Sequence, residues 1–156
     1  MPVEASAVDE RDERMVNRMT VAALSRWVLT VGCVFAGLGV AAGAFGAHML
    51  KGMLDPPMLA VYDTATRYQM YHAFGMVLVG IAMRIGDDRR LAPAGWMFAT
   101  GILLFSGSLY GIALVGLNWL GSFTPIGGLA FIGGWSLFGW RLWRGTEHDA
   151  RMRDHR

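Results

Sequence analysis

The chain has 156 residues, of which 54% are hydrophobic and 17% charged, with a formal net charge of +2. That length suits one domain, and so apolar a composition excludes an ordinary water-soluble one. Lys, Arg, Asp and Glu crowd into the two ends and one short loop and leave four long stretches nearly uncharged, as in a chain that repeatedly crosses hydrocarbon.

Residues 1–26 form a charged segment. From Ser6 to Ser25 it reads as a helix that runs into the first apolar stretch, with Ser6 and Asp9 at capping-box spacing and the first few residues partly disordered. The first span covers about 27–47, close to the roughly 20 residues needed to cross the bilayer core. Ala42-Gly43-Ala44 resembles a signal-peptidase site, but the preceding segment is too long and too mixed in sign for a signal peptide. Gly32, Ala36, Gly39 and Gly43 recur at helical spacing and predict a close helix–helix seam within the chain. Cys33 is the only cysteine, so no intramolecular disulfide can form, and a small buried core residue is its expected role.

The first connection, His48 to Arg67, is the long one. It contains Asp55-Pro56-Pro57, where Asp can cap a helix whose first turn accepts proline. The apolar residues that follow either lie along the membrane surface or extend the second span outward. That span covers about 68–85 and the third about 91–117, with Gly107 and Gly111 as a second small-residue pair. The fourth, about 124–143, starts at Thr124-Pro125 and offers Ala130 and Gly134. Residues 144–156 form an Arg-rich tail that reads as solvated. No span has the continuous polar stripe that a soluble bundle would carry.

Orientation follows from the basic residues, which mark cytoplasmic loops. Of 14 Lys and Arg residues, all except Lys51 and Arg67 fall before the first span, at or just beyond the end of the second, or at or beyond the end of the fourth. Both termini are therefore expected in the cytoplasm. The predicted fold is all-α: an integral membrane four-helix bundle with up-and-down topology.

Polar groups at membrane depth cost free energy unless paired, so they are candidate sites. The densest set opens the second span: Asp63, Arg67, Tyr68, Gln69, Tyr71 and His72. Helical spacing puts Asp63, Arg67 and Tyr71 on one face and Thr64, Tyr68 and His72 on the next, which allows an Asp63–Arg67 ion pair. His48 and Lys51 fall at similar depth, and the third span adds Ser106, Ser108 and Tyr110. Three readings compete. The cluster is a structural hydrogen-bonded knot, or a pocket for a lipid headgroup, quinone or other amphipathic molecule with Arg67 and His72 as polar contacts, or a haem or metal site using His48 and His72. The serines have no G-x-S-x-G context, and no phosphate loop, H-E-x-x-H or paired-cysteine motif supports catalysis.

Four segments together resemble a known family: Gly43-Ala44-Phe45-Gly46-Ala47-His48, Arg67-Tyr68-Gln69-Met70-Tyr71-His72-Ala73, Leu104-Phe105-Ser106-Gly107-Ser108-Leu109-Tyr110, and Thr124-Pro125-Ile126-Gly127-Gly128 followed by Gly133-Gly134-Trp135. They are similar to the small bacterial membrane proteins of DUF family 423, whose eukaryotic relatives are called transmembrane protein 256-like. The resemblance covers about residues 27–143. It implies a four-helix bundle in the bacterial inner membrane and no substrate, cofactor or catalytic residue.

The resulting expectation is a non-enzymatic protein that binds a lipid-like or other amphipathic ligand through a polar cluster in the outer half: His48, Arg67, Tyr68, Gln69, Tyr71, His72, Ser106, Ser108 and Tyr110. The alternative is a structural accessory subunit of a larger membrane complex. No cofactor, metal or nucleic-acid partner is expected; the partners are the bilayer, a small amphipath or another membrane protein.

Overall fold

A computed structural model describes the backbone of residues 2–154 and the side chains of residues 11–144. Helix α1 (Pro2–His48) is continuous through the charged segment and the first apolar stretch. Ser6 and Asp9 lie inside this helix rather than at its start, and their side chains are outside the described residues. A short 3-10 turn, Leu50–Gly52, leads to α2 (Pro56–Gly86). The start of α2 is capped as its sequence requires: Asp55 Oδ1 accepts the Met58 backbone N–H at 2.8 Å, and proline occupies the first turn. The apolar residues after Pro57 thus form the first turns of α2.

Helix α2 ends at Asp87, a non-glycine residue held in the left-handed region at φ 47°. A 3-10 turn, Arg89–Leu91, then opens the third rod. The sequence predicts one regular helix over 91–117, but the rod has three parts: α3 (Ala92–Gly101), a π-helical turn (Ile102–Ser106) and α4 (Gly107–Val115). Gly116 stops it at φ 74°, where lacking a Cβ removes the steric cost of left-handed backbone. After a 3-10 segment, Asn118–Ser122, helix α5 (Thr124–Asp154) begins at Thr124-Pro125 and runs past Trp143, so the Arg-rich tail continues it as helix through Asp154. His148 and His155 are outside the described side chains.

The four rods pack antiparallel in sequence order. Gly32 lies against Ala73 and Met76, Gly39 against Met70 and Gly46 against Tyr62, so α2 numbering falls as α1 numbering rises. A Cβ on Gly32 would stand 3.0 Å from Met76 Cβ and 3.1 Å from the Ala73 carbonyl oxygen, which is why glycine is needed on this seam. Gly134 against Phe98 likewise joins α5 to α3. The expected seam at Gly107 and Gly111 does not form between rods, since Gly107 faces only its own helix and Gly111 meets Leu120 of the following turn. The close approach of α5 to the third rod comes instead through Gly101 against Phe131 and Gly127 against the Phe105 backbone.

The bundle is open. Helix α1 packs on α2, α2 on the third rod, and the third rod on α5, while among the described residues α1 and α5 make no substantial contact. The main core lies between these layers and includes Val28, Met76, Val79, Met83, Phe98, Ile102 and Phe131. Outside it, Val34, Leu38, Val40, Leu78, Leu103, Leu129 and Ile132 are exposed, an arrangement that suits hydrocarbon rather than water. Among the described residues two stretches, Arg11–Gly52 and Arg89–Val115, are long and apolar enough to cross a membrane. One end of the bundle, hereafter the basic end, holds Arg89, Arg90 and Arg141; the far end holds His48, Asp55 and Thr124.

Candidate functional site

The polar residues singled out in the sequence divide into three groups rather than one cluster. The first is a hydrogen-bonded seam. Gln69 is buried; its Nε2 donates to the Phe35 carbonyl oxygen of α1 at 2.8 Å, and its Oε1 lies 3.0 Å from the Tyr110 hydroxyl of α4. That hydroxyl is also 3.1 Å from Thr66 Oγ1, so its single proton serves one of two acceptors. Thr66 donates to the Tyr62 carbonyl oxygen, and the Tyr62 hydroxyl donates to Ala42 O at 2.8 Å. The rings of Tyr62 and Tyr110 pack 5.1 Å apart. Each side-chain group here finds a partner on a neighbouring rod or turn, as burial in an apolar medium demands.

The second group surrounds His72, near the midpoint of α2. The ring is 6% exposed and lies almost parallel to Phe131 of α5, with centroids 3.3 Å apart and planes inclined by 8°. Phe98, Trp135 and Tyr68 complete an aromatic surround. Nδ1 is 2.7 Å from the Tyr68 carbonyl oxygen; a carbonyl can only accept, so Nδ1 carries the proton. Beside this surround, Tyr68 stacks on Phe105, whose residue belongs to the π-helical turn. Ser108 and Thr124 link α4 to the start of α5 at 2.8 Å; because the Ser108 hydroxyl donates to Phe105 O, Thr124 is the donor of that pair. Ser106 is fully buried at the end of the π turn, and its Oγ has no hydrogen-bond partner among the described residues.

The third group is exposed: His48 at the end of α1, and Arg67 and Tyr71 on α2, with Tyr68 straddling the second and third groups at 39% exposure. The Asp63–Arg67 ion pair does not form; within the described residues the side chains of Arg18 and Asp87 make the one salt bridge, at 3.6 Å. Arg67 and His72 do not converge on a common pocket, because one points out of the bundle and the other into it. Cys33 also departs from expectation, being exposed on α1 rather than buried.

The pairing of His48 with His72 as haem or metal ligands is ruled out by register. Gly46 lies against Tyr62, which puts His72 roughly 15 Å further along α2 at 1.5 Å rise per residue. No group of three or more potential ligands occurs among the described residues.

Tyr62, Thr66 and Thr124 carry key hydrogen bonds that the residue-by-residue reading passed over. The signal was present: Tyr62, Thr66 and Gln69 follow i, i+4, i+7 spacing, which defines a third face of α2, the buried one.

An open helical bundle with an apolar exterior and polar groups sealed between its rods is a membrane protein. The family described as a protein of unknown function, DUF423, matches residues 42–128, and the chain belongs to that family. It is 42% identical over 108 residues to the UPF0382 membrane protein YwdK of Bacillus subtilis, covering 69% of this chain and 88% of that one. It is 41% identical over 107 residues to a UPF0382 membrane protein of Staphylococcus haemolyticus, covering 69% and 87%. No solved structure matches.

Proposed function

We propose that the chain crosses a bacterial inner membrane four times with both termini in the cytoplasm, and that it binds an anionic amphipath against the outward face of α2. The distribution of Lys and Arg supports the orientation, since Lys51 and Arg67 alone fall at the far end. The observation that carries the ligand reading is Arg67: it is exposed and makes no ion pair with Asp63, one helical turn before Tyr71 on the same face. Tyr71 is 58% exposed, its ring lies 6.2 Å from that of Tyr68, and neither hydroxyl bonds to a described residue. A guanidinium and two phenols within little more than one helical turn are suited to a phosphate or carboxylate whose apolar tail lies along α2. In this reading Gln69, His72, Ser108 and Tyr110 position the helix and do not touch the ligand.

The test is extraction and mass spectrometry of whatever small molecule stays with the gently purified protein, compared with an Arg67→Gln, Tyr71→Phe variant. A bound amphipath lost from the variant supports the reading. A bare protein in both forms sinks it. A second reading, an accessory subunit, draws on the open edge of the bundle, where Val34, Leu38 and Val40 of α1 have no helix against them. A stoichiometric co-purifying polypeptide would favour that reading.

A further inference from the structure

At the basic end a second feature stands apart from the α2 face. Between α1, α2 and α3 lies a shallow apolar cleft lined by Trp27, Val28, Val31, Met76, Gly95 and Trp96. Its floor follows from close packing: a Cβ on Gly95 would come 2.8 Å from Val28, so α3 sits tight on α1 at that point and leaves a furrow beside it. The two tryptophans that flank the furrow are more than half exposed. Indoles at such positions sit at headgroup depth, with the ring in the acyl region and the N–H toward water.

Beyond the mouth of the cleft the chain is basic. The Arg89–Leu91 turn packs on α1 and α2 and lies four to six residues before Gly95, roughly one to two helical turns below the furrow. Arg89 and Arg90 are exposed and form no salt bridge within the described residues. The acids beside them are engaged: Asp87 faces Arg18, and Asp88 Oδ1 accepts the Arg90 backbone N–H at 2.9 Å. Arg26, next to Trp27, is also exposed, and its Nε donates to Ala22 O. An apolar furrow flanked by two tryptophans, with Arg26, Arg89 and Arg90 exposed at the same end of the bundle, is complementary to one occupant in both halves.

We propose that this cleft is a binding site for an anionic phospholipid, with one acyl chain lying in the furrow between Trp27 and Trp96 and the headgroup phosphate held by Arg89 and Arg90. Guanidinium groups suit this role because they present paired donors to phosphate oxygens. The attraction of a bilayer for any basic surface falls on every arginine at this end alike. The cleft makes a narrower demand: two particular arginines and an open furrow.

The experiment is native mass spectrometry of the full chain titrated with phosphatidylglycerol and with phosphatidylcholine of identical acyl chains. Wild type should retain phosphatidylglycerol in preference, and Arg89→Gln with Arg90→Gln should lower that preference on the order of ten-fold. Arg84→Gln with Arg144→Gln removes the same charge from the same end and should leave the preference nearly intact. Val31→Trp fills the furrow and should reduce retention with all arginines present, whereas added inorganic phosphate should not displace the lipid. Equal retention of the two lipids by wild type overturns the proposal. So does an equal loss in the two arginine pairs, unchanged retention in Val31→Trp, or displacement by phosphate. The arginine variants change exposed side chains, so they stay informative if Val31→Trp does not fold. An α2-face ligand would be lost with Arg67→Gln and kept with Arg89→Gln, which separates this site from the one above.

Discussion

Gln69 on α2 donates from Nε2 to the carbonyl oxygen of Phe35 on α1, at 2.8 Å, while its Oε1 faces the Tyr110 hydroxyl on α4. One amide therefore ties three rods, giving its donor to α1 and its acceptor to α4. Gln69→Leu should lower stability by about 1 kcal/mol, within the range measured for interhelical hydrogen bonds in membranes. A Gln69→Leu, Tyr110→Phe double-mutant cycle in detergent should give a positive coupling energy. Additive effects would mean that the two side chains do not support each other.

Gly32 and Gly37 provide a matched comparison on one helix. Gly32 faces the α2 backbone, whereas a Cβ on Gly37 would meet nothing within 4 Å. Gly32→Leu should destabilise by about 1–3 kcal/mol through overpacking, and Gly37→Leu should be close to neutral. Thermal unfolding of the two variants checks this; equal effects would refute the assigned seam.

Asp87 ends α2 in left-handed backbone and faces Arg18. Both side chains are largely exposed, so the ion pair contributes at most about 1 kcal/mol. Asp87→Gly relieves the backbone cost while losing that pair, and should leave the melting temperature little changed. Asp87→Val keeps the left-handed demand with a branched side chain, and should lose about 1–2 kcal/mol.

His72→Phe should retain the stack on Phe131 and any molecule bound at Arg67, because His72 is sealed inside the bundle. His72→Lys should misfold, since it would bury a charge among aromatic rings. Loss of a co-purifying amphipath in a stable His72→Phe variant would reassign the ligand to the interior.

Topology is accessible to cysteine labelling in a Cys33→Ala background. Lys51→Cys should react with an impermeant thiol reagent in intact cells. Asp88→Cys and Arg144→Cys should react only after the membrane is opened. The reverse pattern would invert the proposed orientation.

The resemblance to DUF423 rested on segments that the fold brings to the bundle interior and its far end, and the family match agrees with it. Helix starts were legible because their chemistry is local: Asp55 before two prolines and Thr124 before one act on neighbouring backbone groups. The glycine seam on α1 was legible too, because its spacing follows the helical repeat. Length, apolar runs and the placement of arginines were enough to indicate four helices and a membrane setting.

The polar cluster could not be partitioned that way. Residues 67 to 72 are contiguous in sequence, yet a rotation of about 100° per residue sends Arg67 and Tyr71 outward, Gln69 toward α1 and α4, and His72 toward α5. The π turn at Ile102–Ser106 and the open edge between α1 and α5 were equally hidden from the sequence. Both depend on how rods pack against one another, as in the approach of Gly127 to the Phe105 backbone, and no local pattern encodes that. Sequence by itself determined that helices form and where polar groups cross the apolar layer. Tertiary structure decided which of those groups are sealed as struts and which face outward, because burial depends on the neighbour that a helix face finds.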